Sequence, residues 1–364
     1  MRSGPVSSVV FDDTVRLAGT FSPGFVDISL IKRLKMANIT VRPEKIYHAF
    51  ASPNALSRLT LTDEGLLGED GRIFRFVDAN PRVIDFIEPF IADDYDRSNL
   101  EMYNSRNSTE IYKNFLNWLF ATFNESEETF RRKVISYLHL SEGMKVLITG
   151  CGLGDDIEII NEEVGNTGEI HAQDLSKAMV LEAEKNNHVN NACFSVSNGN
   201  SLPYVSRYFD AVFHFGGINL FGDTKRAISE LERVCKIGGR VVFGDEGISP
   251  HLRGTEYAEI AIKNNSLWAT EIPVHLLPHN ADEIQINYIL GNCFYLIGFT
   301  PIEGFPTMNI DVPHKGVRGG TMRTRYFGQL EGVTEATKSK LISKAKELNI
   351  SVHTLLEKII NSQI

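Results

Sequence analysis

Cysteine is scarce in this chain: its 364 residues include only Cys151, Cys193, Cys235 and Cys293, and no CxxC pair. This spacing argues against a disulfide framework and a cysteine-ligated zinc site, and it predicts buried thiols. Long apolar runs are also missing: none approaches the ~20 residues of a membrane helix. We therefore expect no membrane span. The first ten residues hold one Arg and no apolar core, which predicts a cytoplasmic protein without a secretory leader.

Basic residues are outnumbered, with 37 Lys and Arg against 46 Asp and Glu, for a net charge of −9. Residues 315–364 depart from this balance. They hold nine Lys and Arg against four Glu, so this segment carries +5 and the remainder −14. Phosphate binding depends on concentrated positive charge, so we do not expect nucleic acid as a partner. The asymmetry predicts a separate C-terminal module.

The pattern of the sequence divides the chain into three parts. Residues 1–107 are rich in turn signals and predict a small mixed domain. Residues 108–312 begin with two amphipathic helices and continue with apolar strands that alternate with helices. This alternation predicts an α/β fold with a doubly wound, mainly parallel, Rossmann-like sheet. The strands are expected at Lys145–Thr149, Glu169–Gln173, Ala192–Val196, Ala211–Phe215 and Arg240–Gly244, with helices at Asp155–Glu163, Lys177–Asn187 and Thr224–Val234.

The first of these strands ends in a glycine-rich turn, Gly150-x-Gly152-x-Gly154, that leads directly into a helix. Glycines at such a turn let the chain bend sharply and let a ligand touch the backbone. The next strand ends in Asp174, where a carboxylate can accept both hydroxyls of a ribose. Each signal has an alternative when taken alone: a tight turn without a ligand, and a helix N-cap.

With these features the chain resembles the class I S-adenosylmethionine-dependent methyltransferases over residues 110–300. The glycine turn is similar to the first motif of that family, and Asp174 to its ribose-binding acid. The segment 197–203 resembles the adenine-contacting segment, with Asn198 where the family usually has Asp. The segment 233–243 resembles the turn before the fifth strand, and 215–223 looks nearest to small-molecule enzymes of the quinone and sterol type.

The resemblance implies S-adenosyl-L-methionine as cofactor and a small molecule as substrate. It also implies a set of cofactor-binding residues: Gly150, Cys151, Gly152, Gly154, Asp174, Leu175, Asn198, Gly199 and His214. Two positions depart from the family pattern, since Ile148 stands where an acid is common and Asn198 has lost a charge. A dinucleotide site is the competing interpretation. However, the glycine turn lacks the G-x-G-x-x-G spacing of a dinucleotide site, and Asp155 and Asp156 would repel a pyrophosphate. A cationic sulfonium, by contrast, suits an acidic rim.

Three residues at the carboxyl ends of strands are candidates for catalysis. They are His214 after the fourth strand, and Asp245 and Glu246 after the fifth, at the edge where open sheets bind ligands. Methyl transfer needs alignment of the reacting atoms in a dry pocket, and a base helps when the nucleophile is a hydroxyl or an activated carbon. The alternatives are a histidine that only lines the cofactor site and a solvated acidic turn.

Other polar and aromatic residues have less specific patterns. His275 and His279 have the spacing of a metal pair on a helix, but the neighbouring Pro273 and Pro278 interrupt a helix, so we assign no metal. The aromatic residues of the early helices, including Tyr103 and Tyr112, either cover the cofactor or belong to the core. An aromatic stripe at helical spacing favours the core.

The basic tail, residues 313–364, resembles the ribbon-helix-helix fold. Alternation over 322–328 predicts a strand, and two helical patterns follow at Thr334–Leu348 and Ser351–Ile360, the second capped by Ser351. So small a unit must bury its apolar side on something, either a second copy of the chain or the catalytic domain. A homodimer through this module is one expectation. The alternative function is a regulator or scaffold in which a degenerate methyltransferase domain senses S-adenosylmethionine and the tail binds DNA or a partner.

Overall fold

The computed structural model describes residues 46–53, 55–87, 94–103, 107–315, 319–327 and 333–364. The chain forms two compact units, which divide between Phe305 and Pro306. Residues on both sides of the expected boundary at 107/108 belong to the first unit. Residues 1–45 of the expected N-terminal domain lie outside the described residues.

The first unit is built on one sheet. Within the described residues its strands are β1 (Thr60–Leu61), β2 (Gly65–Leu67), β3 (Ile73–Val77), β4 (Asn80–Asp85), β5 (Lys145–Thr149), β6 (Glu169–Asp174), β7 (Ala192–Val196), β8 (Phe209–Phe215), β9 (Cys235–Glu246), β10 (Ala281–Ile289) and β11 (Phe294–Pro301). Their order across the sheet is β1-β2-β3-β4-β7-β6-β5-β8-β9-β11-β10. The N-terminal strands thus continue the sheet of the later part of the chain.

The centre of the sheet is parallel. Strands β4, β7, β6, β5, β8 and β9 pair in parallel in that order, and β11 and β10 close the sheet with antiparallel pairs. The predicted doubly wound, mainly parallel, Rossmann-like sheet is confirmed. Because parallel neighbours bring their carboxyl ends to one edge, residues that follow β5, β6, β7 and β8 lie close together.

Helices cover both faces of the sheet. They are α1 (Asp94–Tyr103), α2 (Ser108–Phe123), α3 (Glu127–Ser136), α4 (Ile157–Val164), α5 (Lys177–Asn186), α6 (Thr224–Val234) and α7 (Glu256–Asn264). Side chains of β5 alternate between two cores: Val146 and Ile148 pack in one cluster and Leu147 in the other. This alternation follows from the two-residue period of a strand, and burial on both faces explains the continuous apolar run.

The second unit contains α8 (Met322–Phe327), α9 (Glu335–Glu347) and α10 (Val352–Asn361). The two later helices and the Ser351 cap, which accepts the Thr354 N–H at 3.0 Å, agree with the sequence. The predicted strand over 322–328 is wrong, because residues 322–327 are helical. Thr321 and Thr324 exchange backbone-to-hydroxyl hydrogen bonds at the start of α8, which satisfies local N–H groups without a partner strand. Among the described residues, every helix is too short or too polar to traverse a lipid bilayer.

Candidate active site

The turn after β5 opens the backbone toward a cleft. Gly150 and Gly152 have φ values of +61° and +51°, which side chains rarely adopt. A Cβ on Gly150 would also lie 3.0 Å from Cε1 of His214, and a Cβ on Gly152 would lie 3.3 Å from the Tyr112 hydroxyl. Glycine at both positions therefore keeps the backbone clear beside these two side chains.

Gly154 has a different role from the first two glycines of the turn. Its φ is +81°, and a Cβ there would lie 2.6 Å from Nδ2 of Asn187 and 3.0 Å from Ala183. The third glycine thus allows close packing of the turn against α5. It does not line the cleft.

Asp174 connects the end of β6 to the glycine turn. One carboxylate oxygen accepts the Gly152 N–H at 3.0 Å and the other accepts the Ser176 N–H at 2.8 Å. Burial nevertheless raises the pKa of Asp174 to about 6, because desolvation outweighs these hydrogen bonds. The N-cap of α5 is Ser176, whose hydroxyl accepts the Met179 N–H, so Asp174 is not that helix's cap.

Two residues beside Asp174 extend the cleft toward β7. The side-chain amide of Gln173 donates to the Ser197 carbonyl at 2.5 Å, while its Oε1 is buried without a hydrogen-bond partner in the described structure. Asn198 follows β7, and its Oδ1 accepts the Asn200 N–H at 2.9 Å. The sequence did not single out Gln173. A polar residue one position before the ribose acid, on an otherwise apolar strand, was the available signal.

His214 closes the other side of the cleft and is 1% exposed. Its Nδ1 lies 2.9 Å from the Thr149 carbonyl, so the proton belongs on Nδ1 and the lone pair on Nε2. Nε2 has no hydrogen-bond partner in the described residues. Burial lowers the pKa of His214, opposed by the charge of Asp245 and the Thr149 carbonyl. The side chain is therefore a neutral imidazole whose Nε2 can accept a hydrogen bond.

The helices that precede the sheet contribute two tyrosines to the cleft. The Tyr103 carbonyl accepts a hydrogen bond from the Ser176 hydroxyl at 3.0 Å, which fixes the end of α1 beside the start of α5. Burial, with the nearby carboxylates of Asp174, Glu246 and Asp245, raises the pKa of Tyr103 to about 12. Tyr112 of α2 faces Gly152. Of the two alternatives for these tyrosines, the core was favoured from sequence, but both line the cleft.

Asp245 and Glu246 lie at the end of β9. The Asp245 carboxylate is fully buried and accepts backbone N–H groups of Gly217, Asn219 and Glu246 at 3.1, 2.7 and 2.8 Å. Burial and the hydrogen-bonded Asp245 carboxylate raise the pKa of Glu246 to about 9. Asp245 holds the turn after β8 in place, and Glu246 is protonated.

The cleft is lined by residues from the carboxyl ends of four neighbouring strands, β5, β6, β7 and β8. It brings together seven of the predicted residues: Gly150, Gly152, Asp174, Leu175, Asn198, Gly199 and His214. Cys151, Gly154, Asp245 and Glu246 are not among the lining residues. Tyr103, Tyr112, Gln173, Met179, Gly216, Gly217, Leu220 and Phe221 complete the lining.

The acidic rim predicted beside the glycine turn is wrong. Arg131 of α3 binds Asp156 at 2.9 Å and Asp155 at 3.2 Å, and it also binds Glu127. Neither aspartate lines the cleft. A guanidinium from a helix 24 residues earlier in the chain thus offsets part of the negative charge that the sequence offered to a cationic ligand.

Comparison with known proteins points to the same region of the chain. Residues 140–289 match the family of methyltransferase domains. The demethylmenaquinone methyltransferase of Staphylococcus haemolyticus (strain JCSC1435) is 31% identical over 119 residues, which cover 32% of this chain and 50% of that protein. The enzyme of the same name from Bacillus velezensis is 31% identical over 138 residues, 36% of this chain and 58% of that protein.

The chain spans about half the length of the curated relatives it matches. Among solved structures, the geranyl diphosphate C-methyltransferase from Streptomyces coelicolor A3(2) aligns with a TM-score of 0.45 and 13% identity. That alignment covers 59% of this chain and all of the other.

Proposed function

We propose that this chain, whose residues 140–289 match a family of methyltransferase domains, is a class I methyltransferase that binds S-adenosyl-L-methionine in the cleft and transfers its methyl group to a small molecule. The observation that carries the proposal is the set of acceptors on residues that line the cleft: the half-buried Asp174 carboxylate, and Gln173 and His214, whose buried Oε1 and Nε2 have no hydrogen-bond partner among the described residues. The lining residues in the described part of the chain include no Lys or Arg. Such a site favours a ligand that is cationic and rich in hydrogen-bond donors.

The cleft fits this cofactor in two further respects. Gly150 and Gly152 keep their backbone open where a side chain would collide with His214 or Tyr112. Gly216 and Gly217, with φ values of +79° and +105°, likewise leave open space on the β8 side. The residues that would hold the cofactor are Asp174 for the ribose hydroxyls, Asn198 and Gly199 for the base, and Gly150, Gly152 and His214 for the amino-acid end.

The cofactor, when bound, supplies a methyl group on a positively charged sulfur, which is open to in-line displacement. The protein holds the acceptor in line and excludes water. Among the described lining residues, His214 Nε2 is a neutral nitrogen free of hydrogen bonds, so it can take a proton from an acceptor hydroxyl or amine. Asp245 and Glu246 lie outside the cleft lining, and Asp245 contributes by accepting the Gly217 and Asn219 N–H groups, which fixes the turn beside the cleft.

The substrate is an expectation drawn from the relatives. Because these relatives are demethylmenaquinone methyltransferases, a reduced naphthoquinone is the first acceptor to assay. Hydroxyl and amine acceptors should be assayed next, because the proposal includes methyl transfer to O, N or C. The alternative of a sensing regulator whose tail binds DNA or a partner is not favoured, since the strand predicted for the ribbon of that tail is helix α8.

The test has two steps. Calorimetry should show that the wild-type protein binds S-adenosylmethionine, and transfer of a labelled methyl group to the acceptor panel should follow. Absence of binding at high micromolar concentration would refute the proposal. Binding without transfer to any acceptor class would favour the sensing alternative.

The proposal also includes a homodimer and a cytoplasmic location. Residues 313–364 form the module that would pair two chains. Its helices expose apolar side chains, among them Ile342 (56% exposed), Ile359 (45%) and Ile360 (45%). A second copy of the chain would cover this surface.

A further inference from the structure

A buried amide beside the ribose acid has an acceptor oxygen that the fold does not use. Gln173 is 2% exposed and lines the cleft. Its amide nitrogen donates to the Ser197 carbonyl at 2.5 Å, so Oε1 is the end of the amide that this hydrogen bond leaves unused. Its Oε1 has no hydrogen-bond partner in the described residues. A buried acceptor without a partner costs free energy, so a ligand that donates to it is bound more tightly.

The position of Gln173 in the sheet indicates which part of the ligand it meets. Adenine, ribose and the amino-acid chain follow one another in S-adenosylmethionine. With the ribose at Asp174 on β6, the base and the amino-acid end extend to opposite sides. His214 lies on the β8 side. Gln173 is tied to Ser197, which follows β7, the side on which Asn198 and Gly199 lie.

The nearby amide that the sequence assigned to the base already accepts one hydrogen bond within the fold. Asn198 Oδ1 accepts the Asn200 N–H at 2.9 Å within the turn after β7. Gln173 Oε1 accepts nothing from the described residues. A donor on the base therefore finds its free acceptor at Gln173.

We propose that Gln173 reads the exocyclic amine of the cofactor's adenine and so determines that the site takes an adenosyl ligand. The inference rests on the proposed function and adds a specificity-determining residue to it. Replacing the amine by a carbonyl, as in an inosyl ligand, would place two acceptor oxygens face to face. Sites built to pair with a donor discriminate strongly against ligands that lack it.

The experiment compares the binding of S-adenosylhomocysteine and S-inosylhomocysteine to the full-length chain by calorimetry. Wild-type protein should prefer the adenosyl ligand by at least about tenfold. Gln173→Met retains side-chain volume but removes the acceptor. It should weaken adenosyl binding by about tenfold and leave inosyl binding within about twofold, so that the preference largely disappears.

Two further variants separate recognition from folding. Gln173→Glu keeps an acceptor oxygen and, protonated in this buried site, an O–H for the Ser197 carbonyl, so it should keep the adenosyl preference. Ser197→Ala is the matched control. Its hydroxyl is also buried without a partner in the described residues, but it does not line the cleft. Its ligand preference should equal that of the wild type.

The outcomes are distinct. If wild-type protein binds both ligands equally, or if Gln173→Met weakens both equally, the inference is overturned and the proposed function stands. If Gln173→Met does not fold, loss of the preference in Gln173→Glu overturns the inference and its retention supports it. If wild-type protein does not bind S-adenosylhomocysteine, the proposed function fails and takes the inference with it.

Discussion

The carboxylate of Asp174 accepts the backbone N–H of Gly152 at 3.0 Å. This hydrogen bond ties the acid at the end of β6 to the glycine turn after β5. The two motifs, 22 residues apart in the sequence, therefore border one cleft. The same carboxylate retains acceptor capacity for a ligand, since each oxygen carries two lone pairs.

Replacement of Asp174 should weaken cofactor binding. We expect Asp174→Ala to cost about 1–3 kcal/mol of binding free energy for S-adenosylmethionine, because charge-assisted hydrogen bonds to the ribose are lost. Calorimetry on wild-type and variant proteins measures the difference. Unchanged affinity would contradict the assignment of Asp174 to the ribose.

Affinity for the cofactor should depend on pH through the same carboxyl. With a pKa of about 6, Asp174 is ionised above pH 6 and protonated below it. Because the ionised form is the better acceptor, S-adenosylhomocysteine should bind less tightly as the pH falls from 7 to 5. Asp174→Asn should flatten this part of the profile. An equal slope in that variant would mean that another group titrates.

Glu246 should make the folded protein less stable as the pH rises. Its pKa of about 9 in the folded protein lies above the ordinary value of 4.5. The folded state therefore holds a proton that the unfolded chain has lost, and stability falls as the pH rises from 4.5 to 9. Urea unfolding of Glu246→Gln should show a smaller fall. The exposed Glu271 provides the control variant Glu271→Gln, whose profile should follow the wild type.

His214 should affect turnover more than cofactor binding. Gln at this position keeps an acceptor but cannot take a proton at neutral pH, so His214→Gln should lower the methyl-transfer rate by about 100-fold. Its affinity for S-adenosylhomocysteine should change by less than about tenfold. His275→Gln, in an exposed loop, is the matched control. A rate equal to that of the control would exclude His214 as the base.

Removal of residues 316–364 should convert a dimer of the chain into a monomer. If the apolar side chains of α9 and α10 pair two chains, light scattering should report a dimer for the full chain and a monomer for the deletion variant. A full-length monomer would refute the dimer.

The sequence predicted the fold where local pattern and tertiary structure agree. Strands Lys145–Thr149 and Ala192–Val196 and helix Thr224–Val234 have the predicted bounds, because each is an apolar or amphipathic run between clear turn signals. The pairing of β4 with β7 was not predicted, since the two strands are separated by more than 100 residues. The six residues of α8 fit both a strand and a helix, and the local hydroxyl caps decided between them.

The motifs of the site could be predicted from the sequence, but several residues that line the cleft could not. Positions 150, 152 and 174 follow from the strand-turn-helix pattern. Contributions that arise from packing between distant segments were missed. Tyr103 reaches the cleft because its carbonyl accepts the Ser176 hydroxyl, 73 residues later. Arg131 binds Asp155 and Asp156, which lie outside the cleft lining.

A crystal structure of the chain grown with S-adenosylhomocysteine tests the central claim most directly. We predict electron density for the nucleoside between the Gly150–Gly152 backbone and the Asp174 carboxylate, with the ribose hydroxyls on that carboxylate. Ligand density elsewhere on the molecule, with the cleft beside Asp174 filled by protein side chains, would contradict the account.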